Sequence, residues 1–214
     1  MADDFWHRAW RSPRTGRNKA DPHPDLVAHA VTEFVGAVRL LVPFCGRSPD
    51  LLWLAERWPE VVGVELVDEA VAGFADLAVR EPVAGFRRYG RDGLTVLLGD
   101  FHDAKPGTFG TFDGAWDRGA FGALPAARRP PYVRVLRSLL RPGSTVLLEG
   151  YTFDQRRLSG PPFSVRDAEL CGAFPDCGVR VLADRRLENR GRYPAVPLER
   201  WRQRVYAIEL PSGS

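Results

Sequence analysis

The chain has 214 residues, 44% hydrophobic and 27% charged, which is enough for one compact domain with a sizeable core. A formal charge of +3, carried on interleaved Arg and Asp/Glu, describes a mixed-sign solvated surface and speaks against nucleic acid as a partner. No apolar run approaches 18 residues, so no spanning helix and no membrane partner are expected.

MADDFWHRAW has no apolar run of the kind a signal peptide carries, and a cytoplasmic monomer is the expectation. The first ~24 residues read as irregular, punctuated by Pro13, Gly16, Pro22 and Pro24. They carry Phe5, Trp6 and Trp10, however, and disordered tails are poor in aromatics, so this segment is expected to pack onto the rest of the protein. A helix follows at about 25–37, with Leu26, Ala30, Val31, Phe34 and Val38 on one face.

Strands and helices then alternate. RLLVPF, EVVGVEL, LTVLLGDF, FDGAWDR, STVLLEGY and VRVLADRR are short apolar runs of the kind buried on both faces of a parallel sheet. Helical patterns lie between them at about 48–58, 68–79 and 126–140, and another at 165–174. The alternation predicts an α/β fold, a doubly wound and mostly parallel sheet. VRVLADRRLE and WRQRVYAIEL close it as an antiparallel C-terminal strand pair. Residues 1–214 are read as one domain, with 1–24 as a segment that closes over the site.

Ligands of such sheets bind outside the carboxyl ends of the strands. The first strand ends in Pro43-Phe44-Cys45-Gly46-Arg47-Ser48, where Gly46 lets the backbone approach a ligand and the helix after Ser48 suits a carboxylate. One glycine cannot cradle a pyrophosphate, and a plain strand-to-helix turn explains it as well. The second strand ends in Glu65, 19 residues past Gly46, where an acid accepts ribose hydroxyls; the alternative is a helix cap, a role Asp68 fills better. The third ends in Gly99-Asp100-Phe101, a carboxylate and a ring that could hold adenine. Together the three describe an adenosine site with a carboxylate in place of phosphates, which is S-adenosylmethionine.

The run VPFCGRSPDLLWLAERWPEVVGVEL resembles the thiopurine S-methyltransferase family, whose loop reads P-L-C-G-K-S-x-D before a G-V-E strand. GDF, FDGAWDRGAFGALP, Arg129-x-x-Tyr132, LLRPGS, GPPFSV and the Trp6-to-Trp10 spacing extend the resemblance over nearly the whole chain. It implies a Rossmann-like class I methyltransferase acting on sulfur or related soft atoms of small molecules, with S-adenosylhomocysteine as product. By matched position it implies cofactor contacts from Trp6 or Trp10, Phe44, Glu65, Asp100, Phe101 and Arg118, beside the Gly46 backbone approach read above. Phe44 stands where the family has leucine, and Ala9 where it has arginine. The stretch RTGRNKADPHPDL is longer than the family's, with His23 a candidate for its displaced histidine.

Arg118, ending the fourth strand, suits stabilising a thiolate, binding a substrate carboxylate or contacting the cofactor's carboxyl end; the alternative is a salt bridge to Asp117 or Asp113. Trp10, Phe121 and Phe163 are candidates for an apolar substrate wall, and Asp154 and Arg192 for its rim. Phe163 reads equally as part of a rigid turn, and Asp154 and Arg192 as solvated charges. Cys45 has no neighbouring His and reads as a packing residue. Neither the three cysteines nor the four histidines have metal-ligand spacing, so no metal is expected. The expected substrate is an organic thiol, thione or thioacid. Tellurite, selenium species, halide or thiocyanate is the second reading, and a non-catalytic adenosylmethionine-binding module the third.

Overall fold

The computed structural model describes residues 2–11, 21–74, 76–187 and 201–213. In chain order the elements are α1 (Ala2–Arg11), α2 (Pro24–Glu33), β1 (Arg39–Pro43), α3 (Pro49–Ala55), β2 (Glu60–Glu65), α4 (Asp68–Val71), β3 (Ala78–Val83), β4 (Phe86–Arg91) and β5 (Leu94–Leu98). They continue with α5 (Pro106–Phe109), β6 (Phe112–Arg118), α6 (Ala120–Ala123), α7 (Arg129–Ser138), β7 (Leu140–Thr152), α8 (Asp167–Ala173), β8 (Gly178–Arg186) and β9 (Arg202–Glu209).

Among the described residues the strands form one nine-stranded sheet, ordered β3-β4-β5-β2-β1-β6-β7-β9-β8. Its centre, β5-β2-β1-β6-β7, is parallel, and β9 runs antiparallel between β7 and β8, the closing pair expected from the sequence. Alternation sends neighbouring side chains to opposite faces. Leu41 joins Val62, Val64 and Phe101 on one side, while Leu40 and Val42 join Leu26, Phe34 and Trp58 on the other. The sheet is thus the wall between two apolar layers.

Two local expectations are corrected. Residues 1–24 are not irregular throughout, since 2–11 form α1 and place Trp6 and Trp10 one turn apart. The helix expected at 68–79 ends after one turn, at Val71. The chain then makes the antiparallel β3–β4 hairpin, with Val83 opposite Phe86. Ala84 (φ 46°) and Gly85 (φ 87°) form its two-residue turn, the left-handed pair that matches strand twist. The strand β3 is mostly exposed, so its residues carry no buried-strand signature. No described helix is long and apolar enough to cross a membrane.

Candidate active site

The strand order reverses at β1, so the crevice outside the carboxyl ends of β1, β2, β5 and β6 gathers the candidate residues. The β1 loop turns sharply there. Phe44 (φ 49°) and Gly46 (φ 55°) both take left-handed conformations, costly for any residue but glycine. The Gly46 N–H donates to Glu65 Oε2 at 2.7 Å. The N–H groups of Leu66 and Val67 donate to Glu65 Oε1 at 2.9 Å each. Glu65 is buried and so fastens the β1 loop to the start of α4. Asp68, expected to cap that helix, instead pairs with Arg87. Ser48 caps α3 as its position suggests, its Oγ accepting from the Asp50 N–H at 3.2 Å.

Above this loop lies α1. A Cβ on Gly46 would stand 3.1 Å from Trp10 Cζ2, so the indole covers the glycine. Arg11 and His7 hold α1 to Glu69 of α4 at 2.6 and 3.6 Å. Cys45 beneath is buried, and burial followed by the Glu65 charge pushes its thiol well up, which suits packing and not nucleophilic attack.

On the β5 side, Asp100 Oδ1 accepts from the His102 backbone N–H at 2.9 Å and lies 2.8 Å from its Nδ1. The side chain of Asp100 remains 43% exposed. Phe101 does not line the crevice: it is 1% exposed, packed edge-on to Phe44 at 5.8 Å and beside Tyr132 at 5.3 Å. The short helical turn capped by Asp100 rotates its ring inward, and Phe44 is the ring of this group left half-buried.

Arg118 ends β6 with its side chain 16% exposed, and its partners are neither Asp117 nor Asp113. Its Nη1 donates to Asp50 Oδ2 at 2.7 Å, and Nε lies 3.9 Å from Glu149 Oε2. Asp50 also accepts from Trp116 Nε1 at 2.8 Å and from the His23 backbone N–H at 2.7 Å. Glu149 Oε1 accepts from Tyr151 OH at 2.8 Å and from the Gln203 amide, and lies 3.2 Å from His23 Nε2. Burial alone would raise the Glu149 carboxyl, but His23, Arg118 and Gln203 pull it down to about 2. Asp117 behaves oppositely: burial raises it to about 6 against the Tyr132 hydroxyl and the Phe121 and Ala120 N–H groups. Asp113 is bound by the Val38 and Arg39 N–H groups and by Arg141.

The expected substrate wall is only partly at the surface. Phe121 is fully buried in the core, with Arg129 over its ring at 4.6 Å. Phe163 is half-buried; its ring packs on Gly160 and its N–H donates to the Gly122 carbonyl at 2.7 Å. Arg129 fixes the same loop through the carbonyls of Phe163 and Ser164. Asp154 caps a short turn and pairs with Arg156 at the surface. Arg192 lies outside the described residues.

Sequence reasoning missed Asp50, Glu149 and Gln203 and placed His23 only as a displaced lid residue. Glu149 had a signal, a lone carboxylate inside the apolar strand STVLLEGY, because charges are buried only when paired.

The donor set fits S-adenosylmethionine. Carboxylates stand at the ends of neighbouring strands β2 and β5, and the loop between them and α1 has no Cβ where the backbone must be approached. Residues 1–210 match the family model described as Thiopurine S-methyltransferase (TPMT). A thiopurine S-methyltransferase of Legionella pneumophila (strain Philadelphia 1) is 34% identical over 178 residues, covering 81% of this chain and 80% of that protein. One from Vibrio cholerae serotype O1 is 35% identical over 214 residues, covering 96% and 97%. Among solved structures, a SAM-dependent methyltransferase from Anabaena variabilis superposes with TM-score 0.64 at 14% identity over 98% of this chain and 95% of that one.

Proposed function

Since the chain belongs to the thiopurine S-methyltransferase family, and is an S-adenosylmethionine-dependent methyltransferase for a small molecule, we propose that its acceptor is the sulfur of a thiol, thione or thioacid. The observation that carries this reading is Arg118. Its guanidinium stands at the carboxyl end of β6 beside the β1 loop, and its Nη2 makes no hydrogen bond among the described residues. Two N–H donors are therefore left for an anionic acceptor, beyond those given to Asp50.

When bound, S-adenosylmethionine supplies an electrophilic methyl group on a sulfonium. On this reading Glu65 accepts from the ribose, Asp100 accepts from the adenine amino group, and the Gly46 turn leaves room for the amino-acid end. Phe44 and Trp10 exclude water above the β1 loop. Arg118 favours the thiolate over the thiol, and its fixed position aligns sulfur with the methyl carbon, where in-line displacement gains most. On this reading α1 closes over the site, and the chain acts as one domain.

Calorimetry with S-adenosylhomocysteine, then a panel of thiols, thioacids, tellurite and halides scored for methylated product, tests this. Methylated sulfur is expected; product only from inorganic acceptors would overturn the sulfur reading. Arg118→Ala should lower kcat/KM about 10–100-fold more for an ordinary thiol, pKa ~8.5, than for a thioacid already ionised at neutral pH. Equal losses would refute thiolate stabilisation.

A further inference from the structure

Two buried carboxylates face one guanidinium, and one residue ties both together. Asp50 is 0% exposed and Glu149 3%. His23, 2% exposed, donates its backbone N–H to Asp50 and sets its ring against Glu149. The ring orientation is fixed from the other side. The Asp25 N–H donates to His23 Nδ1 at 3.2 Å, and His23 Nε2 lies 3.2 Å from Glu149 Oε1 and 3.0 Å from Gln203 Nε2. Trp116 lies tilted against the same ring, 5.6 Å between centroids, while its Nε1–H donates to Asp50.

Each carboxylate is divided between two tasks. Asp50 Oδ1 binds His23 and Oδ2 binds Arg118; Glu149 Oε1 binds His23, Tyr151 and Gln203, while Oε2 faces Arg118 Nε. Burying two carboxylates beside one arginine is costly, and apolar residues could fill the same space with less penalty. A carboxylate kept ionised by its neighbours is also a weak proton acceptor, which removes Glu149 as a general base.

We infer that Asp50, Glu149 and His23 are positioning residues: they hold the Arg118 guanidinium in one orientation, leaving Nη2 for the methyl acceptor. This rests on the reading that Arg118 meets the acceptor. It also makes the residues just before α2 part of the reaction centre's support, because His23 comes from that segment.

The test is a double-mutant cycle of Arg118→Lys and Glu149→Gln, with kcat and KM separated and S-adenosylhomocysteine affinity measured by calorimetry. Glu149→Gln should lower kcat about 10–100-fold, as displacement of an aligned group does, with cofactor-product affinity within about twofold of the parent. In the Arg118→Lys background the same change should cost less than about threefold, because the two act as a unit. Losses that multiply independently would overturn the positioning role while leaving Arg118 in the site. An Arg118→Lys enzyme with unchanged kinetics would instead overturn the Arg118 reading, and this inference with it. Should Glu149→Gln not fold, Asp50→Asn carries the same cycle. Relaxation of the Arg118 Nε–H in the unmodified protein gives an independent reading: an order parameter near ~0.85 is expected, and one below about 0.6 would overturn the clamp.

Discussion

Glu65→Gln separates the observed anchoring of the β1 loop from the proposed ribose contact. The side chain keeps its shape, and its amide oxygen can still accept from Leu66 and Val67, now at 2.9 Å from Oε1. The amide nitrogen then meets the Gly46 N–H, which stands 2.7 Å from Oε2, donor against donor. One charge-assisted bond is lost and a partly buried N–H is left without an acceptor, about 2–3 kcal/mol of stability. For a chain of this length that is a fall in Tm of ~4–12 °C. On the proposed reading the ribose loses an ionised acceptor at the same point, so the Kd for S-adenosylhomocysteine should rise about 30–150-fold, at ~1.4 kcal/mol per tenfold. Differential scanning calorimetry of the ligand-free protein and titration calorimetry with the nucleoside give the two numbers independently. A lowered Tm with unchanged affinity would refute the ribose contact; a weakened affinity with unchanged Tm would refute the loop anchor.

Glu149, whose pKa is depressed from 4.5 to about 2, contributes stability that is fully present above 4.5 and is lost as pH falls toward 2. The stability gap between the parent and Glu149→Gln, on the order of 3 kcal/mol at neutral pH, should therefore narrow between pH 5 and pH 3 in urea unfolding; a constant gap would contradict this assignment. Arg129→Ala removes the cation that spans Phe121, Leu124, Phe163 and Ser164 and leaves Glu169 without it. A loss of about 3–5 kcal/mol is expected, read as an earlier urea midpoint, with faster proteolysis at residues 160–164. Gly46→Ala forces a Cβ to 3.1 Å from Trp10 at a left-handed φ. A cost of about 1–2 kcal/mol and loosened protection of α1 in hydrogen exchange should follow; normal protection would mean that the indole does not seat there.

The parallel centre of the sheet was legible because strands buried on both faces are continuous apolar runs, and RLLVPF and STVLLEGY announce themselves. The hairpin at 78–91 was not. AVREPV is exposed along most of its length, so no apolar period marked it, and its one cue was the Ala84-Gly85 pair. Strand-end reasoning put Glu65, Asp100 and Arg118 at or just past the carboxyl ends of β2, β5 and β6, where topology alone sets their positions. It did not anticipate that the Phe101 and Phe121 rings are buried, because a ring at a strand end can turn inward and the sequence carries no record of which way. The partners of Arg118 were out of reach for another reason: Asp50 lies 68 residues from Arg118, and His23 lies 126 from Glu149. Only folding brings them together.

The hairpin has one further consequence. Its Phe86 ring sits so close to Gly99 that a Cβ there would come within 2.6 Å, and it stacks edge-on with Phe109 at 4.9 Å. The glycine that introduces Asp100 is thus fitted to a side chain from the antiparallel edge of the sheet, not from its parallel centre. Anyone transplanting strand β5 and its acidic end into another scaffold would have to carry β4 along, or refill the hollow left under Gly99.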